Sequence, residues 1–169
     1  MSIYNYTRRR ASAVKVGGVT VGGDAPVAIQ SMTNTDTNDT AACVAQINAI
    51  ADAGADIVRL TTQGVREAAN MAEIKRQLHR DIPLVADVHF NPKAAFEAAR
   101  HVEKVRINPG NFVDAARTFR KLEFTDQEYL AEIDRIRQTL VPFLELCREN
   151  GTAVRLGVNH GSLSDRIMS

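Results

Sequence analysis

Four apolar runs in this chain break their own pattern in the same way, each setting polar side chains along one side of what is otherwise a buried strand. They are Ile57-Val58-Arg59-Leu60, Leu84-Val85-Ala86-Asp87-Val88-His89, Lys104-Val105-Arg106-Ile107-Asn108 and Ala153-Val154-Arg155-Leu156-Gly157-Val158-Asn159. Side chains alternate between the faces of a strand, so Arg106 and Asn108 point one way while Val105 and Ile107 point the other. Pro109-Gly110 then ends the strand and turns the backbone over whatever Arg106 and Asn108 hold. A fold that accepts this pattern must cover one face of its sheet with apolar packing and keep the other for chemistry.

Helical patterns separate the strands. A first core strand, Val27 to Ser31, leads through a polar loop to a helix over Ala41 to Ala53, for which Asp39 or Thr40 is the N-cap and Gly54 the C-terminal stop. Helices are predicted after Gly64, with Met71, Ile74 and Leu78 inward, and from Asn91-Pro92 to about His101. A long amphipathic helix is predicted from Asp126 to Asn150, where Pro142 is a candidate kink. Ahead of all this, Val14-Lys15-Val16 and Val19-Thr20-Val21, joined by Gly17-Gly18, read as a small β-hairpin that plugs or decorates one end of the fold. The domain division expected is an arm and hairpin over residues 1–25 and the main unit over 26–169.

Strands alternating with helices imply parallel pairing and right-handed crossovers. An open doubly wound sheet and a (β/α)8 TIM-type barrel both fit. Gln30, Arg59 and Asp87 are separated by 29 and 28 positions, close to the roughly 30 residues per unit of a barrel of about 250. Polar residues at nearly every strand end, and no GxGxxG after any strand, favour the barrel. Five strands cannot close a (β/α)8 barrel, so the sequence reads as the first five strand-helix units of a larger protein.

The formal net charge of +1 gives no basic field for nucleic acid, so any anion site must be local. No run approaches the roughly 20 apolar residues of a membrane span, and the polar start with Arg8-Arg9-Arg10 is not a secretory signal. Cys43 and Cys147 lie inside apolar helical patterns and read as reduced core thiols of a cytoplasmic protein.

Arg59, Arg106 and Arg155, on three strands, would converge at the C-terminal mouth. Three guanidiniums in one pocket repel one another and call for anions, and their planar forks suit phosphate or carboxylate oxygens. The competing reading is a salt-bridge network on Asp87, which could pair with one or two of them. Asp87 and His89, on one strand face, could be an acid/base couple, donors to a hydroxyl, or two ligands of a metal whose remaining ligands are missing from the sequence. Gln30, Ser31 and Asn34 could bind polar ligand atoms or serve only the loop. His160 could line the mouth or cap a helix.

Six ordered motifs carry a resemblance to a known family. They are Val21 to Pro26 with Gln30 to Thr35, Asp56 to Leu60, Val85 to Phe90, Val105 to Asn111 and Arg155 to Leu163. Over about Arg8 to Ser169 they closely resemble the 4-hydroxy-3-methylbut-2-enyl diphosphate synthases, in the longer plant- and Bacteroidetes-like version with an inserted domain. The resemblance implies a barrel that holds 2-C-methyl-D-erythritol 2,4-cyclodiphosphate and opens its ring by two-electron reductive dehydroxylation, in the methylerythritol phosphate route to isoprenoids. It implies a 4Fe-4S cluster on a separate C-terminal domain, ferredoxin or flavodoxin as electron donor, and a homodimer. Carried onto this chain, Arg59, Arg106 and Arg155 would bind the diphosphate, and Gln30, Asn108, Asn159, Asp87 and His89 would line the pocket, the last two as catalytic groups. Neither Cys43 nor Cys147 lies in a cluster-ligand motif, so this chain alone is expected to be an inactive fragment. Other readings are a pterin-binding barrel of the dihydropteroate synthase type and a non-catalytic phosphate-binding module.

Overall fold

A computed structural model describes residues 9–113 and 125–158. The chain opens with the antiparallel hairpin β1 (Val14–Val16) and β2 (Val19–Val21). It continues as β3 (Gln30–Met32), α1 (Thr40–Asp52), β4 (Ile57–Thr62), α2 (Val65–Gln77), β5 (Leu84–Val88), α3 (Pro92–Ala98), β6 (Lys104–Ile107), α4 (Asp126–Asn150) and β7 (Ala153–Leu156). The last five strands form one parallel sheet in the order β3-β4-β5-β6-β7. This order settles the architecture. A doubly wound sheet reverses its strand order at a switch point, whereas a strictly sequential order with right-handed crossovers puts every helix on one face.

That helix-covered face is the main core. Val58 and Leu60 of β4, Leu84, Ala86 and Val88 of β5, and Val105 and Ile107 of β6 pack there against Cys43 and Ile47 of α1, Met71 and Ile74 of α2, Ala94, Ala95 and Ala98 of α3, and Phe143 and Cys147 of α4. The opposite face has a small apolar floor at the N-terminal end of the sheet. Val16 from the hairpin is buried there with Ile57 and Val85, with Val19, Val21, Ala28 and Ala153 alongside. The hairpin therefore plugs the interior from below. Gly17, at φ +56, brings the turn so close to Pro83 and Glu103 that an added Cβ would lie 2.8 Å from Glu103 Cγ. Glu103 is held in place from both sides, accepting from Lys75 Nζ of α2 and from the Leu84 backbone N–H.

The helix termini follow the cap signals. Asp39 accepts from Ala42 N at 3.0 Å, and Gly54 takes φ +98 just beyond α1. Thr125 and Glu128 form a reciprocal capping box on α4, which Gly151 ends at φ +67. The helix runs unbroken through Pro142, whose ring lies on an exposed stretch. Two expected boundaries move. The first core strand is not Val27 to Ser31 but Gln30–Met32, because Asp56 ties the preceding residues down: its carboxylate accepts from Ile29 N, and Ile29 O accepts from Asp56 N and Ile57 N. The regular part of α3 stops at Ala98, short of His101, and turn bonds from Arg100, His101 and Val102 carry the backbone onward. No helix among the described residues is long and apolar enough to cross a membrane.

Candidate functional site at the carboxyl ends of the strands

Strand register fixes which side chains share the helix-free face. One cross-strand row contains Met32, Arg59, Val85, Lys104 and Ala153, and the next row toward the strand ends contains Thr61, Asp87, Arg106 and Arg155. The three arginines and Asp87 thus converge as alternation required. Asp87 is 2% exposed and Arg106 5% exposed, a charged pair deep in the fold.

Asp87 is the hub. Its Oδ2 accepts from Arg59 Nη2 and from His89 Nε2, the latter at 3.1 Å. Its Oδ1 lies 3.4 Å from Arg106 Nη1 but without hydrogen-bond geometry, so that oxygen remains an open acceptor. His89 bridges the two groups, with Nε2 on Asp87 Oδ2 and Nδ1 3.5 Å from Arg106 Nη1. The carboxylate is shared between Arg59 and Arg106, and neither guanidinium engages it through two parallel bonds. Arg59 Nε is buried with no hydrogen-bond partner among the described residues. Arg155, beside Arg106 on β7, is exposed and forms no ion pair among the described residues.

Glycine shapes this pocket as much as charge does. A Cβ placed on Gly157 would lie 2.5 Å from Arg106 Nε and 3.0 Å from its Nη2, so the guanidinium seats itself against a bare backbone. Asn108 is buried, and its Oδ1 accepts from Gly110 N at 3.0 Å, which closes the Pro109-Gly110 turn. Asn34 exchanges hydrogen bonds with Gln46 of α1. Gln30 lies beside Ile57, one row below Arg59 and so toward the floor, and it is exposed. Asn159 and His160 fall outside the described residues.

Three features of the site went unnoticed in the sequence. Lys104 shares the face of Arg106 and Asn108, as simple alternation would have shown. Burial, then Arg155, then Arg59 hold its pKa below the ordinary lysine range. Gly157 gave only a weak signal, a glycine two positions after an arginine. Phe90 gave none: it takes φ 55, a left-handed conformation rare for an aromatic residue, and stands 45% exposed beside His89.

A sequential parallel sheet, helices on one face, a plugged floor and a cationic mouth on the other define an α/β domain of the TIM-barrel type with its site at the carboxyl ends of the strands. Residues 11–169 match the family described as the GcpE TIM-barrel domain, and the chain belongs to that family. It is 62% identical to the 4-hydroxy-3-methylbut-2-en-1-yl diphosphate synthase (flavodoxin) of Bacteroides fragilis, over all of this chain and 28% of that relative. Identity to the Akkermansia muciniphila protein of the same name is 52%, over 99% of this chain and 29% of the relative. The chloroplastic ferredoxin-type synthase of Oryza sativa subsp. japonica is 48% identical, over 99% of this chain and 23% of the relative. The chain therefore spans less than a third of the length of these curated relatives.

The thiols of this chain do not fit an iron-sulfur cluster. Cys43 and Cys147 are buried on different helices in the helix-side core. Cys43 donates to Asp36 O at 3.2 Å and its pKa is raised, chiefly by burial. Burial pushes Cys147 up to about 11. Cluster ligation needs thiolates, and among the described residues no three His, Cys, Asp or Glu side chains are grouped to hold a metal.

Proposed function

We propose that this chain is the substrate-binding barrel portion of a 4-hydroxy-3-methylbut-2-en-1-yl diphosphate synthase, and that its mouth binds 2-C-methyl-D-erythritol 2,4-cyclodiphosphate. The observation that carries this reading is the buried Arg106 guanidinium, which shares one carboxylate with Arg59 while Arg155 stands beside it with none among the described residues. A buried arginine is costly unless its donors are met, and phosphate oxygens meet them with the right planar geometry.

In this reading Arg59, Arg106 and Arg155 grip the diphosphate, and Gln30, Asn108 and Asn159 complete the polar lining. The arriving phosphate replaces Asp87 as the anion facing Arg59 and Arg106. That exchange releases the Asp87–His89 pair to face the substrate and handle the proton that leaves with the hydroxyl as water. The reduction takes two electrons, for which the names of the relatives give flavodoxin or ferredoxin as the donor, and a 4Fe-4S cluster of the kind the resemblance implies would find no ligand set among the described residues. Residues 26–169 form the partial barrel, residues 1–25 the arm and floor plug, and the whole enzyme works as a homodimer. Two protonated core thiols are in keeping with the cytoplasm, although the plant relatives are named chloroplastic. The chain by itself binds without turnover.

Calorimetric titration with the cyclic diphosphate tests this. Binding by the chain, abolished in Arg106→Ala and weakened by salt, is the expected result. A wild-type chain that circular dichroism shows to be folded, yet that takes up no ligand, would sink the reading.

A further inference from the structure

Among the described residues, Lys104 is the inward-facing cation that the reading above leaves without work. It stands in the row below Arg106, between Val85 and Ala153, two small apolar residues of the plugged floor. It is half-buried and has no ion-pair partner among the described residues. Adjacent strands lie about 4.8 Å apart and alternate residues about 6.6 Å apart along a strand, which puts the Lys104 and Arg155 backbones on a diagonal of about 8 Å, within reach of two long side chains. The site thus has two sides. Toward β4, Arg59 and Arg106 share Asp87. Toward β7, Lys104 and Arg155 share no carboxylate among the described residues.

We propose that Lys104 is a further anion-binding residue of this site, pairing with Arg155 to form a second phosphate position that makes the mouth selective for two linked phosphates over one. The inference rests on the anion-site reading above. An ammonium in a partly apolar setting, beside two guanidiniums, destabilises the empty fold. Burial and the charges of Arg155 and Arg59 already bias it toward losing its proton. A ligand with two anionic groups removes that penalty where a single phosphate, held at the Asp87 side, does not.

The probes are sodium pyrophosphate and sodium orthophosphate, titrated calorimetrically into the wild-type chain, Lys104→Met, Lys104→Arg and Arg106→Ala, with thermal unfolding of each in the ligand-free state. Losing a charge-assisted contact should lower the pyrophosphate affinity of Lys104→Met by roughly ten- to hundredfold while orthophosphate affinity changes by less than about threefold. Lys104→Arg should retain the preference for pyrophosphate. Ligand-free Lys104→Met should melt higher than wild type, an outcome that a structural lysine would reverse. An unchanged pyrophosphate-to-orthophosphate ratio, or a lower ligand-free melting temperature, overturns the role of Lys104 alone, provided that Arg106→Ala still loses pyrophosphate. A folded wild-type chain that binds neither anion overturns the anion site itself and Lys104 with it.

Discussion

Asp87 balances more positive charge than one carboxylate can neutralise, and this makes its removal informative. Asp87→Asn keeps the shape and deletes the charge, leaving Arg59 and the buried Arg106 facing each other across a neutral amide. Losing one member of a buried ion pair costs about 3–5 kcal/mol, and the partial exposure of Arg59, 24% for its side chain, places the expected loss toward the lower end. Pyrophosphate should raise the melting temperature of Asp87→Asn more than that of wild type, because the anion supplies the missing charge. An equal shift in both would mean that the arginines are not where the anion binds. Gly157→Ala tests geometry instead of charge. Its Cβ would lie 2.5 Å from Arg106 Nε, and Gly157 has no left-handed φ to strain, so the guanidinium must move while the backbone need not. Anion affinity should fall about tenfold with melting within a few degrees of wild type; unaltered affinity would show that the seat is loose. Residues such as Arg59, Asp87 and Arg106 were legible in the sequence because polar side chains interrupt apolar alternation. Gly157 and Phe90 were not, since a close approach between strands and a left-handed φ depend on neighbours that local pattern does not specify.

At the scale of elements, most of what was legible came from caps and periodicity. Asp39, Gly54 and Gly151 stand where helix ends need them, whereas the Thr125–Glu128 capping box on α4 emerged only in the structure. The start of β3 was not legible, because a distant carboxylate, Asp56, takes the Ile29 N–H that a longer strand would have given to the ladder. The C-terminal half of α4 binds the sheet through Phe143 and Cys147. Phe143 is fully buried, 5.6 Å from the Phe96 ring and 5.4 Å from that of Phe112. The Cys147 thiol, with a pKa pushed up to about 11, is about one-thousandth thiolate at pH 8 against roughly a quarter for an unfolded cysteine near 8.5. Its folded pKa lies above the unfolded one, so the thiol adds stability that is fully present below about pH 8 and drains away as pH rises toward 11. A disulfide reagent at pH 8 should therefore leave Cys147 unmodified in the folded chain and label it fast in denaturant. Rapid labelling of Cys147 without denaturant would mean that α4 detaches from the sheet.

The whole molecule has a polarity set by its sheet. On the helix side, side chains of the central strands are sealed: Val58, Leu60, Leu84, Ala86, Val105 and Ile107 are completely buried. Side chains of the same parity at either edge are not. Ile29, just before β3, is 60% exposed, Leu156 at the end of β7 is 61% exposed, and Val158 beyond it is 64% exposed. Among the described residues no strand pairs with the outer edge of β3 or of β7. Unpaired backbone beside uncovered apolar side chains is a template for another strand, so the purified chain should associate with itself through these edges. Sedimentation velocity should show a weight-average mass that rises with concentration over the micromolar range. Leu156→Lys and Val158→Lys together, which place charge at one edge without touching the sealed core, should shift the chain toward monomer while leaving its circular dichroism and its pyrophosphate affinity unchanged. Association that persists in the double variant would move the contact to β3 or to the exposed face of α4, where Leu130 and Ile133 stand free of the core. A chain that stays monomeric at about 100 μM would mean that these edges are protected in solution.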